Sequence, residues 1–377
     1  MKILITGNMG YVGPGVVKQL RSTRPYAHLV GLDSGFFADA LTTTGVLPET
    51  VLNEQLFLDI RDVTPEVFQG IDSVVHLAAI SNDAIGKLNE QTTYAINCLA
   101  TLRLAALARQ QGVRSFVFAS SCSVYGIGGA QTKTETSRIH PLTAYAHSKA
   151  QAELGLRDLA GERFVVTCLR FATACGMSDR LRLDLVLNDF VASAMATGEI
   201  SILSDGTPWR PLIDVHDMAA AIDWAVERDV ENGGPGAVVN TGSNAWNFQV
   251  AELAELVAGE LGGVKLSVNR HAPADRRSYR VGFDRFSQLA PKHVPRGNIA
   301  ATIGRLRNGL RAMDFHDADF RQGPWMRLNR LLEHQAAGRL DDQLRWKHRG
   351  AVAGVVPNSN AEQPLSLFLP QPDARML

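Results

Sequence analysis

Lys2-Ile3-Leu4-Ile5-Thr6-Gly7-Asn8-Met9-Gly10-Tyr11-Val12-Gly13 is the stretch on which the fold turns. Its apolar, β-branched opening predicts a buried strand, and Val16, Val17 and Leu20 follow at helical spacing. Strand, glycine turn and helix together form the context of a phosphate-binding loop. Gly7 permits the tight turn, Gly10 lets backbone approach a pyrophosphate, and Gly13 lets helix and strand pack closely. The helix N-terminus adds N–H groups and positive potential. Tyr11 and Val12 complete the loop. A glycine triplet alone decides little, and it gains meaning from the strand that comes next in the chain.

That second strand, His28-Leu29-Val30-Gly31-Leu32-Asp33, ends in a carboxylate 20 residues after Gly13. Such a carboxylate takes both ribose hydroxyls of an adenosine and repels a 2′-phosphate, which predicts NAD rather than NADP as cofactor. Leu56-Phe57-Leu58 leads into Asp59 and Ile60, and the run from Ser73 to Leu77-Ala78-Ala79 offers small residues where backbone passes close to a cofactor. A helix over residues 92–111 carries Asn97. Strands alternating with helices to about residue 170 predict an α/β fold with a doubly wound parallel sheet.

The next strand, Phe116-Val117-Phe118-Ala119-Ser120-Ser121, delivers a hydroxyl to the edge where open α/β sheets place ligands. Beyond a polar loop, Tyr145 opens an Ala-rich helix and Lys149 follows at i+4, placing phenol and ammonium on one face about 6 Å apart. Alone, such a pair is an ordinary solvated one. In this context it has a use: a phenol with a reference pKa of about 10 needs a fixed cation beside it to act as a base at neutral pH. It could then exchange a proton with a substrate oxygen held by Ser121.

At 377 residues the chain can bury a large core, and Lys plus Arg balance Asp plus Glu at 38 each, so bulk charge suggests neither nucleic acid nor an anionic membrane as partner. Cys98, Cys122, Cys168 and Cys175 show no disulfide or metal-type spacing, and the N-terminus shows no signal-peptide pattern, which predicts a cytoplasmic protein without a metal site.

These motifs together resemble the extended short-chain dehydrogenase/reductase family, in its nucleotide-sugar epimerase/dehydratase branch, over roughly residues 1–290. The glycine loop, Asp33, Asp59, His76-Leu77-Ala78-Ala79, Asn97, the Ser120–Gly126 run and the Tyr145/Lys149 pair carry the resemblance. It implies a Rossmann-type NAD-binding domain (1–176 and 206–239), a smaller substrate-binding domain (177–205 and 240–350), and a homodimer through helices near 92–111 and 145–160. Gly7, Gly10, Tyr11, Val12, Gly13, Asp33, Asp59, Ile60, Leu77, Ala78, Ala79, Asn97, Tyr145 and Lys149 would hold NAD. Ser121, Tyr145 and Lys149 would be catalytic.

For substrate, the resemblance points to Ser121, Ser123, Thr173 in place of the usual asparagine, Asn188 and Arg210 on the nucleotide diphosphate, and Arg277, with the register between Arg276 and Arg277 open. A histidine common after the arginine segment is replaced by Asp214. The expected activity is NAD-dependent epimerisation of a nucleotide-diphosphate sugar, at C4 through a transient 4-ketosugar. The alternatives are a ketosugar reductase or dehydrogenase, a dehydratase, and a non-catalytic NAD-binding protein. Dehydration would need an acid–base pair beside Ser121, where Cys122 and Ser123 stand. The branches that epimerise at C3 and C5 use a cysteine one position after Cys122, where this chain has Ser123. His76 and His147 read as packing or hydrogen-bonding residues. Residues 298–310 and 325–344 read as amphipathic helices whose arginines, Arg305, Arg307, Arg311, Arg327 and Arg330, face solvent. The proline-containing stretch 351–377 reads as an extended or disordered tail.

Overall fold

The computed structural model describes residues 1–347 apart from 44, 82–84, 87–88, 128, 130, 270–271 and 273–276. In chain order the strands are β1 (Lys2–Thr6), β2 (His28–Asp33), β3 (Glu54–Phe57), β4 (Ser73–His76), β5 (Ser115–Ser121), β6 (Val165–Phe171), β7 (Thr173–Cys175), β8 (Glu199–Ile202), β9 (Trp209–Asp214), β10 (Gly236–Thr241), β11 (Asn247–Gln249) and β12 (Lys265–Val268). Seven of them form one sheet in the order β3-β2-β1-β4-β5-β6-β10, with every neighbouring pair parallel. The order reverses between β1 and β4, which makes a crevice beyond their C-terminal ends.

The helices are α1 (Gly13–Thr23), α2 (Glu90–Tyr94), α3 (Thr101–Gln110), α4 (Ala144–Leu159), α5 (Val186–Thr197), α6 (Val215–Glu227), α7 (Val250–Leu261), α8 (Asp284–Leu289), α9 (Ile299–Ala312) and α10 (Arg327–Ala336). Strands buried on both faces need apolar cover on both. Val16, Val17 and Leu20 of α1 pack with Met218, Ile222 and Trp224 of α6 in one cluster, and Leu104, Ala108 and Leu156 of α3 and α4 pack in another. A third cluster joins α5, α7 and α9 through Leu187, Val191, Leu253, Leu306 and Leu310. Beside it stand the three-stranded sheet β11-β9-β7 and the parallel pair β12-β8. None of the helices among the described residues is long and apolar enough to cross a membrane.

Candidate active site

A cavity of about 1110 Å³ opens at the switch point, and the glycine loop forms its floor. Gly7 has φ +76°, and a Cβ there would stand 2.5 Å from Ala78 N; at Gly13 a Cβ would stand 2.1 Å from Asn8 O. Backbone therefore approaches backbone where no side chain fits. Gly13 does not line the cavity; it serves the packing of α1. Val12, at the N-cap of α1, provides no side-chain cap, so the first N–H groups of the helix are left for an anion. Asp33 lines the cavity and accepts from Met9 N at 3.0 Å and Gly35 N at 2.8 Å; burial raises its pKa against those bonds. Asp59, Ile60, Leu77, Ala78 and Ala79 complete this wall, which fits a dinucleotide.

Asn97 has a different place. It is fully buried in a π-helical turn (Ala95–Ala100), with Oδ1 accepting from Ile80 N and Nδ2 donating to Ile80 O and Ser148 Oγ. It pins the loop after β4 to α4 and does not itself face the cavity. Tyr11 lines the cavity, and its hydroxyl donates to Gly176 O at 2.6 Å.

Ser121, Tyr145 and Lys149 all line the cavity. Ser121 ends β5, and its Oγ accepts from Ser123 N at 3.1 Å. Thr143 caps α4 by accepting from Ala146 N at 3.1 Å, which sets Tyr145 in the first turn and Lys149 one turn on. Lys149 is buried, donates from Nζ to Ala119 O at 2.8 Å, and lies 5.9 Å from the Tyr145 ring centre. Burial lowers its pKa to about 7, against the attraction of Glu153 and Cys168. A negative charge formed on the neighbouring phenol would draw the proton back onto Lys149.

Ser123, Thr173, Arg210 and Arg277 line the cavity as well. Arg210 donates to the carbonyl oxygens of Trp209 and Arg277. Asn188 does not reach the cavity: it is fully buried, accepts from Gly176 N, and donates to Tyr11 Oη and Arg182 O, so its amide is consumed in holding β7, α5 and the glycine loop together. Arg276 lies outside the described residues, as does the stretch 351–377. Cys122 is buried, its thiol donates to Arg170 O, and burial pushes its pKa far up, so it is not placed as a reactive thiol. His76 is locked between Thr6 and Thr101 hydroxyls, and His147 is exposed. Asp214 caps α6 and accepts from Thr302 and Arg305; against burial, its bonds to His216 and Thr302 hold its pKa well down.

Of the arginines expected to face solvent, Arg327 does not, and Arg305 stays exposed while pairing with a buried carboxylate. Arg305 reaches Asp214, and Arg327 is 3% exposed and lines the cavity. Arg182, Asp184 and Arg321 line it too, and sequence reading did not single them out. Arg182 pairs with Asp184 and donates to Ser81 Oγ; Arg321 pairs with Asp189. Their Arg-x-Asp and isolated-arginine patterns are common on any surface, and only the tertiary fold turns them inward.

The cavity thus joins a floor that fits a dinucleotide to a wall that carries Ser121, Tyr145 and Lys149, the arrangement of a nucleotide-cofactor enzyme. The NAD dependent epimerase/dehydratase family matches residues 3–242, and the chain belongs to that family as an NAD-dependent enzyme. Among its relatives, UDP-glucuronic acid decarboxylase 6 of Arabidopsis thaliana is 25% identical over 296 residues, 77% of this chain and 83% of the relative. UDP-glucose 4-epimerase of Bacillus subtilis (strain 168) is 27% identical, over 69% of this chain and 83% of that protein. The structure of MoeE5 in complex with UDP-glucose and NAD is similar with a TM-score of 0.70 and 25% identity, covering 83% of this chain and 99% of that one.

Proposed function

We propose that this protein is a UDP-sugar 4-epimerase that works by transient oxidation at C4. The observation that carries the reading is the content of one cavity wall: Ser121, Tyr145 and Lys149 are gathered there, while the next position, Cys122, is a buried thiol bonded to Arg170 O. Bound NAD would supply the hydride acceptor and donor. Tyr145 takes the proton from the sugar 4-hydroxyl, Ser121 holds the same oxygen, and Lys149 charges as the phenol ionises and so stabilises it. After the 4-ketosugar turns, Tyr145 returns the proton to the oxygen. Elimination of water would need an acid and a base beside Ser121, and Cys122 and Ser123 offer neither at neutral pH. Thr173, Arg210 and Arg277 also line the cavity, and the two guanidinium groups suit the phosphate oxygens of a nucleotide diphosphate.

The test is a set of UDP-sugars deuterated at C4. The expected product is the C4 epimer with its label kept at C4, no solvent deuterium taken up, and no NADH accumulated. Stoichiometric NADH would indicate a dehydrogenase, and solvent label at C3 or C5 an enolising epimerase. Release of carbon dioxide from a UDP-uronic acid would indicate the chemistry named for the Arabidopsis relative.

A further inference from the structure

Arg327 is the first residue of α10, far beyond the residues 3–242 that carry the family match. Its guanidinium lies 4.3 Å over the ring of Phe37 and, among the described residues, makes one hydrogen bond, Nη2 to Arg180 O at 2.9 Å. No carboxylate among the described residues comes within ion-pair distance of it. Its charged neighbours are Arg180, paired with Glu49, Arg182, paired with Asp184, and the Asp33 carboxylate, which accepts from Met9 N and Gly35 N. A guanidinium carries five donors and a permanent charge, and burying it beside two like charges is costly unless an anion joins it. Burial first, then the charge of Arg182, lowers its pKa to about 9 against the attraction of Asp184 and Asp33.

The cavity has room for that anion. Arg327 lines it together with Gly7, Gly10, Val12, Asp33 and Phe37. The helix is fastened to the segment just past Asp33: His334 Nε2 bonds Phe36 O at 3.0 Å, and Arg330 pairs with Asp39. These ties set Arg327 beside the segment that follows Asp33. We infer that Arg327 is a cofactor-binding residue: from α10 it supplies a guanidinium to the pyrophosphate of the dinucleotide, completing a site whose other donors are the N–H groups at the start of α1. A 2′-phosphate is the other anion a dinucleotide could bring. The Asp33 carboxylate excludes it by repulsion at the adenosine ribose.

The experiment compares full-length unmutated protein, Arg327→Met and Arg327→Lys, each stripped of cofactor, by calorimetric titration with NAD, NADP, ADP-ribose and adenosine and by melting without ligand. Methionine keeps the volume and removes the charge. Arg327→Met should melt no lower than the unmutated protein, since an uncompensated buried charge is gone. It should bind NAD and ADP-ribose at least tenfold more weakly, with adenosine changed less than twofold. Arg327→Lys should lie between, and it carries the test by the same ADP-ribose-against-adenosine contrast if the methionine variant does not fold. Undiminished NAD affinity in a folded variant overturns the proposal. So do equal losses for adenosine and ADP-ribose, which would make Arg327 a packing residue, and a loss confined to NADP, which would assign it to a 2′-phosphate. No sugar enters these titrations, so the result stands apart from the C4 reading.

Discussion

Tyr145 concentrates the chemistry in a single atom, so Tyr145→Phe should leave the fold and NAD binding intact while lowering turnover by about 10²- to 10⁴-fold, the usual contribution of a general acid–base group. Steady-state kinetics beside a cofactor titration checks it; retained turnover would mean that the base lies elsewhere. His76 gives a different prediction. It is fully buried between two threonine hydroxyls, and burial first, then the charge of Lys149, lowers its pKa from 6.5 to about 3. Below pH 6.5 the unfolded chain takes up a proton that the folded chain refuses, so stability falls as pH drops from 6.5 toward 3. Each unit in that window costs up to about 1.4 kcal/mol. Denaturant titrations at pH 6.5 and 5 should differ by up to about 2 kcal/mol from this group, and a folded His76→Gln variant should show a shallower dependence. At this scale the sequence was informative where spacing carries the meaning. Tyr145, Lys149 and Asp33 can be located by counting residues along elements, and all three line the cavity. Asn188 could not be placed that way: an asparagine looks the same whether its amide faces a ligand or, as here, is consumed by Gly176, Tyr11 and Arg182.

Between elements, the tie with most at stake links α4 to β6. Glu153, one turn beyond Lys149, accepts from Arg170 Nε and Nη2 and from Ser120 Oγ, and Arg170 Nη1 donates to Tyr125 Oη, all of it buried. Removing one partner leaves the other charge buried without compensation, so Glu153→Gln should destabilise the protein by about 3–5 kcal/mol in urea denaturation. Because Glu153 is also the largest influence raising the pKa of Lys149, the same variant should hold that lysine neutral to lower pH. A cost under about 1 kcal/mol would mean that Arg170 finds another acceptor. The strands and α1 were legible because buried parallel strands are apolar without interruption. The π turn at Asn97 was not, since its extra residue leaves no mark in the helical spacing. Nor was the inward turn of Arg327: a guanidinium on a polar-looking helix gives the same pattern whether the opposing surface is water or another wall.

Across the whole molecule, the chain beyond α9 returns to the edge of the seven-stranded sheet and closes over the cofactor half of the cavity. Its contacts, four of them side chain to backbone and one an ion pair, span most of the sequence: Trp346 Nε1 donates to Ser34 O at 2.6 Å, Arg61 donates to Gln343 O and Leu344 O, Asn89 donates to Asp342 O, and Arg345 pairs with Asp62. The Trp346 indole lies 5.7 Å from the Phe36 ring and 5.2 Å from the His334 ring. Because the indole remains partly exposed, Trp346→Ala should cost less than the 3–5 kcal/mol of a core aromatic, about 2 kcal/mol. That loss should be local, since Leu331, Leu340 and Leu344 of this segment join only one of the two clusters that cover the sheet, and the other, built on α1 and α6, contains none of it. Hydrogen exchange on the full-length variant should therefore quicken at residues 34–37 and 327–346 while β1 and β5 stay as protected as before. Exchange that quickens equally in β1 would show instead that the sheet and its returning segment unfold as one unit.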